Sequence, residues 1–174
     1  MSASTSTEPI TLSARALATA LQRRELSCRE LMQACLAQIE RFNPAVNALV
    51  SLQPTAQLLQ QADACDARLA RGEAVGRLHG FPMAPKDFVA TAGMPTTMGS
   101  PVFAKQVTTH DAIMVERLRG AGAIFVGRSN TPEFGLGSHT YNTVFGTTRN
   151  AWNQQHAAGG SSGGAAVALA LHML

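Results

Sequence analysis

The final sixteen residues, GGSSGGAAVALALHML, constrain the fold more than any other stretch of the chain. Two glycine pairs flank two serines and lead directly into a run that is apolar nearly all round. A helix of that composition has no polar face to offer water, so a buried position is expected for it. Flexible linkers do not run into core helices, which argues against a simple spacer. Two readings of the residues stay open. The loop is a helix entrance capped by a serine, or its glycines bring the backbone close to a substrate and leave a serine hydroxyl to move protons. Phosphate binding at the helix entrance is disfavoured, because the stretch has neither G-K-[ST] nor a G-x-G-x-x-G at a strand end.

Upstream, the pattern is first helical and then mixed. LSARALATALQRRE has amphipathic spacing. Ser27 and Glu30 form a capping-box pair, followed by Leu31, Cys35, Ile39 and Phe42 at helical intervals, with Asn43-Pro44 expected to end the run. Asn47–Leu52 reads as a short strand. A third helix after Pro54 places Leu58, Ala62, Cys65 and Leu69 on one face, and Gly72 stands near its end. From Gly76 the texture changes to short apolar runs between glycines and prolines. Phe81–Ala90 and Ala123–Gly127 read as strands, and Asp111–Gly120 between them reads as a helix with Asp111 as N-cap and Ile113, Met114 and Leu118 facing inward. The fold class is therefore α/β, with a helical region over 1–75 and an α/β region over 76–174.

Lys86 lies in GFPMAPKDFVA, among Phe81, Met83, Phe88 and Val89. The ordinary reading pairs its ammonium with Asp87 or lets it snorkel to the surface. The functional reading makes it a general base. An unperturbed lysine is neutral only about once in 2,500 molecules at pH 7, a handicap of about 4.6 kcal/mol. Burial lowers a lysine pKa by up to ~3–5 units and removes most of that handicap, a tuning that arginine does not allow. Of the 14 basic residues only Lys86 and Lys105 are lysines, so the choice at position 86 runs against the chain's preference for arginine.

The remaining features exclude other classes. The net charge of +3 is scattered and aromatics are few, so no nucleic-acid partner is expected. MSASTSTEPI has neither a positive n-region nor an apolar core, and no apolar run approaches the ~20 residues of a membrane span, which makes the cytoplasm the expected location. Cys28, Cys35 and Cys65 lack C-x-x-C spacing, and Cys35 and Cys65 fall on apolar helix faces as small buried thiols. No metal and no cofactor is expected. The five histidines are isolated from one another and read as packing or hydrogen-bonding residues.

Three stretches, taken together, carry a resemblance. GRLHGFPMAPKDFVATAGMPTTMGSP, DAIMVERLRGAGAIFVGRSNTPEFGLGS and FGTTRNAWNQQHAAGGSSGGAA closely resemble the amidase signature family in order and spacing, from about Gly76 to Leu174. The resemblance implies amide-bond hydrolysis by a serine–serine–lysine triad on a mixed sheet flanked by helices. Residue by residue, it implies that Lys86 is the catalytic lysine, that Ser161 is the bridging serine preceded by a cis peptide bond, and that Ser162 occupies a supporting position. TPEFGLGS, with Phe134, is expected to border the substrate pocket.

The sequence departs from the family in one respect. The family's nucleophilic serine lies roughly two dozen residues beyond the bridging serine, and no serine follows Ser162 here. The expectation is an incomplete α/β core, about the first third of an enzyme that acts on a small-molecule amide, inactive alone. The alternative expectation is a non-catalytic binding module that reuses a truncated amidase scaffold. The motifs do not select among aliphatic amidases, aryl amidases and the amidating component of tRNA-dependent amidotransferases, nor do they set an oligomeric state.

Overall fold

Local capping explains where the helices begin. In the computed structural model, which describes residues 9–174, Ser13 opens α1 (Ala14–Gln22) by accepting from Ala16 N. Ser27 opens α2 (Cys28–Val46) with the expected capping box: Ser27 Oγ accepts from Glu30 N at 3.0 Å, and Glu30 Oε2 accepts from Ser27 N at 2.9 Å. Ser27→Ala removes one side of this exchange and is expected to cost about 1 kcal/mol, measured as a lowered urea midpoint with an unchanged slope.

Helix α2 does not stop at Asn43-Pro44. It continues through Pro44 to Val46 and ends on Asn47 in the left-handed region, φ 50°. The Asn43 side chain explains the extra turn. Its Oδ1 accepts from Ala48 N and Leu49 N at 3.0 and 2.8 Å, and its Nδ2 donates to Leu49 O at 2.8 Å. One asparagine thereby guides the chain out of the helix into β1 (Leu49–Val50). Helix α3 (Thr55–Ala70) follows, with Leu58 and Ala62 buried against α2.

The expected strand–helix–strand unit is present, with shorter strands. β2 (Pro82–Met83) pairs in parallel with β3 (Ile124–Phe125), in register Pro82↔Ile124 and Met83↔Phe125, and α4 (Ile113–Gly120) provides the crossover that parallel strands require. Phe81–Ala90 is not one strand. Pro82 and Pro85 have no N–H to give a ladder, and the Lys86 carbonyl accepts from Phe88 N at 2.7 Å and Val89 N at 3.0 Å, which turns the chain. Helix α4 is capped by Ala112 rather than Asp111, whose carboxylate instead accepts from Ala92 N at 2.6 Å and pairs with Arg119. Val115 and Leu118 form the inward face of α4, and Ile113 and Met114 are exposed, contrary to expectation.

β4 (Arg128–Ser129) pairs antiparallel with β1, in register Leu49↔Ser129 and Val50↔Arg128. β5 (Tyr141–Asn142) and β6 (Gly146–Thr147) form a hairpin. Helix α5 (Gly163–Ala170) packs on β1 and β4, so the main core joins Leu31, Ile39 and Leu58 to Ile124, Val167 and Met173. Only one side of α5 is buried. Val167 and Ala168 face the core while Leu169 is 61% exposed, which corrects the expectation of burial all round. Leu169 and Leu174 line an apolar groove of about 500 Å³ with Ile10, Leu12, Leu17 and Met83.

Candidate active site

Backbone hydrogen bonds fix Lys86 on both sides. Asp87 N donates to Ser129 O at 3.0 Å and Ser129 N donates to Pro85 O at 3.1 Å, a parallel bridge between Lys86 and Ser129 at the end of β4. A second clamp comes from Arg128, whose guanidinium is fully buried. It donates to Lys86 O at 2.9 Å and also to Val89 O and Thr91 Oγ1. Asp87, equally buried, lies 3.7 Å from Arg128 Nε and accepts from Thr97 N at 3.0 Å and Thr97 Oγ1 at 2.5 Å.

The Asp87 side chain is therefore turned toward Arg128 and Thr97, which removes the simple Lys86–Asp87 pair from consideration. Burial pushes the Asp87 carboxyl up, and Thr97 and then Arg128 oppose that rise; burial pushes the Arg128 guanidinium down, opposed by Asp87. Arg128 was not found by sequence reasoning. The available signal was an arginine directly after the apolar run Ala123–Gly127, where a surface position would be the default.

The glycine–serine loop is held from the other side by the segment before β5. Gly160 N donates to Ser138 O at 2.7 Å, Thr140 N donates to Ala158 O at 2.9 Å, and Thr140 Oγ1 both donates to Gly159 O at 3.2 Å and accepts from Gly163 N at 3.0 Å. The Gly160–Ser161 peptide bond is cis. Ser162 precedes α5, but its side chain makes no cap hydrogen bond, so the reading of a serine-capped helix entrance is set aside.

These two clamped segments bring together all three residues singled out from the sequence. Lys86 Nζ lies 2.8 Å from Ser161 Oγ and 3.4 Å from Ser162 Oγ. The first is an ordinary strong hydrogen-bond distance and the second is beyond it. Partial burial shifts the Lys86 amine below its usual value, the one resolved cause being loss of solvation. More of the Lys86 amine is thus neutral, and free to take a proton, than in a surface lysine at the same pH, and Ser161 is the hydroxyl placed to exchange one with it.

Phe134 sits at φ 53°, its N–H donating to Met98 O at 2.7 Å and its ring edge-on to Phe103. It lines a cleft of about 490 Å³ with Pro132, Leu136, Ser138, His139 and Tyr141, next to the loop that carries Ser161. Among the described residues, no group of three or more His, Cys, Asp and Glu side chains is arranged to hold a metal, and no helix is long and apolar enough to cross a membrane.

The chain has relatives among known proteins in both sequence and fold. The chain is 45% identical over 158 residues to one of the subunits of the glutamyl-tRNA(Gln) amidotransferase of Methylococcus capsulatus, covering 91% of this chain and 32% of that protein. It is 40% identical over 159 residues to an acylamidase of Rhodococcus erythropolis, covering 91% and 33% respectively. The fold matches the crystal structure of a bacterial aryl acylamidase of the amidase signature family, with a TM-score of 0.86 and 32% identity over 94% of this chain and 34% of that one. The chain spans about a third of the length of the relatives it matches. A family model described as Amidase matches residues 30–174, and the chain belongs to that family.

Proposed function

We propose that this chain carries the proton-transfer half of an amide-hydrolysing site, with Lys86 as general base and Ser161 as the relay. The observation that carries the reading is the 2.8 Å approach of Lys86 Nζ to Ser161 Oγ across 75 residues of sequence. In the neutral state the Lys86 amine accepts the Ser161 proton while Ser161 takes one from an attacking serine hydroxyl. Ser162, 3.4 Å from the amine, supports its orientation and does not relay. The attacking serine belongs to the remainder of the family's fold, so the 174 residues alone have no turnover. The substrate is a small-molecule amide, held in the cleft beside Phe134.

The chain has only two lysines, which makes a direct test simple. With ¹⁵N-labelled lysine, the Lys86 side-chain resonance is followed through a pH titration, and Lys105→Arg identifies the other signal. Lys86 is expected to lose its proton below the ordinary lysine value of 10.5, and Ser161→Ala is expected to shift that titration. Titration of Lys86 at the ordinary value overturns its role as base. Hydrolysis of an acyl anilide by the chain, abolished by Ser161→Ala, overturns the relay role by making Ser161 itself the nucleophile.

The sign of the stability effect follows from the same shift. A folded amine held below its unfolded value binds fewer protons than the unfolded chain between the two values. Lys86 therefore disfavours the fold at neutral pH, and that penalty fades as pH rises through the window toward the unfolded value. Lys86→Met should remove this component of the pH profile.

A further inference from the structure

Thr140 is a polar residue fully shielded from solvent and set against the loop that carries Ser161. A threonine hydroxyl offers one donor and two acceptor lone pairs. Gly163 N can only donate, so its 3.0 Å contact makes Thr140 Oγ1 the acceptor, and the hydroxyl proton goes to Gly159 O at 3.2 Å. One oxygen thus grips the loop on both sides of Ser161. The loop passes close over it: a Cβ on Gly160 would lie 3.2 Å from that oxygen, and one on Gly163 closer still.

Thr140 is itself anchored from the Lys86 side of the site. Thr148 N donates to Thr140 O at 2.9 Å, and Thr148 Oγ1 accepts from Asn130 Nδ2 at 3.0 Å. Asn130 directly follows Ser129, the residue bridged to Lys86. The segment holding the amine and the loop holding the hydroxyl therefore share one frame, with Thr148 and Thr140 as its links. Both threonines are fully buried, so Thr140 reaches the site through the loop and not by touching a substrate.

We propose that Thr140 is the positioning residue of the proton relay: its hydroxyl fixes the loop at Gly159 and Gly163 and so holds Ser161 Oγ at 2.8 Å from Lys86 Nζ. The inference rests on the reading of Lys86 and Ser161 as base and relay. Valine has nearly the shape of threonine and would fill the same space, but it supplies neither bond. Gly163 is buried, and a buried N–H without an acceptor is costly. Without the hydroxyl the loop must shift to pair that N–H again, and Ser161 shifts with it.

The test follows the Gly163 amide by hydrogen exchange and the Lys86 amine by ¹⁵N titration in the same chain. In Thr140→Val the Gly163 amide is expected to exchange roughly tenfold faster, and the Lys86 titration is expected to move in the direction that Ser161→Ala moves it. Thr140→Ser keeps the hydroxyl and is expected to restore both signals. Adding Thr140→Val to Ser161→Ala is expected to move Lys86 no further, because the effect passes through the Ser161 hydroxyl. A Lys86 titration untouched by Thr140→Val, or moved equally with and without the Ser161 hydroxyl, overturns the positioning role. If the valine variant does not fold, Thr140→Ser decides: a displaced Lys86 titration while Gly163 stays protected overturns the role, and an unmoved one upholds it. Failure of the underlying reading is separate, since Lys86 would then titrate at the ordinary value of 10.5 in the wild-type chain.

Discussion

Gly164→Ala is expected to destabilise the fold by about 3 kcal/mol or more, lowering the thermal midpoint by roughly 10 °C at this chain length. Two effects oppose each other at this position. Alanine is the better helix former, and in the first turn of α5 the exchange would gain at most ~1 kcal/mol from propensity. Packing opposes it. An added Cβ would come within 2.6 Å of Asn130 O and 2.7 Å of Ala48 O, and closer still to Asn130 N. Those three atoms are backbone, and Asn130 N already donates to Ala48 O at 2.9 Å, so none can swing aside. Gly163→Ala meets the Thr140 side chain, whose Oγ1 holds the loop. Gly159 provides the control, since nothing lies within 4 Å of its missing Cβ. Gly159→Ala is expected to change stability by no more than about 0.5 kcal/mol. Thermal and urea unfolding of the two alanine variants checks the contrast; equal losses would mean that loop flexibility, not close packing, sets the glycine content here.

That contrast shows why some of this molecule was legible in the sequence and some was not. The Ser27–Glu30 box and the α2 stripe involve residues three or four apart, so local spacing was enough to place them. The βαβ unit was legible because parallel strands need a crossover. Strand lengths were not, since the turn after Lys86 depends on carbonyls accepting within three residues. Lys86 and Ser161 were located through long motifs, and no local pattern predicts a contact across that separation. The GGSSGG stretch looked like a question of backbone freedom. Its second glycine pair instead answers to tertiary contacts, Gly163 with Thr140 and Gly164 with Asn130 and Ala48, which no window of sequence contains. The burial of α5 was misjudged for the same reason: composition says that a face is apolar, whereas only the fold says whether anything lies against it.

Arg128→Met should destabilise the chain by about 3–5 kcal/mol, the usual cost of breaking a buried ion pair from one side. The guanidinium is 0% exposed and so is Asp87, so methionine leaves a carboxylate stranded without its countercharge. It also strips donors from Lys86 O, Val89 O and Thr91 Oγ1, the contacts that hold the turn carrying Lys86. Two further measurements separate charge from packing. Burial already raises the folded Asp87 carboxyl above its ordinary 3.8, and loss of Arg128 raises it further. The folded state then binds more protons than the unfolded chain between the two values, so stability rises as pH falls through that window. The deficit of Arg128→Met should therefore shrink in mild acid. Adding Asp87→Asn should recover part of it at neutral pH, because the amide oxygen can still accept from Thr97 without a charge. A deficit independent of pH and untouched by Asp87→Asn would mean that the arginine acts as a bulky donor alone. The ¹⁵N signal of Lys86 reports the consequence for the site: with its carbonyl released, the amine should move away from Ser161 and titrate closer to the ordinary lysine value of 10.5.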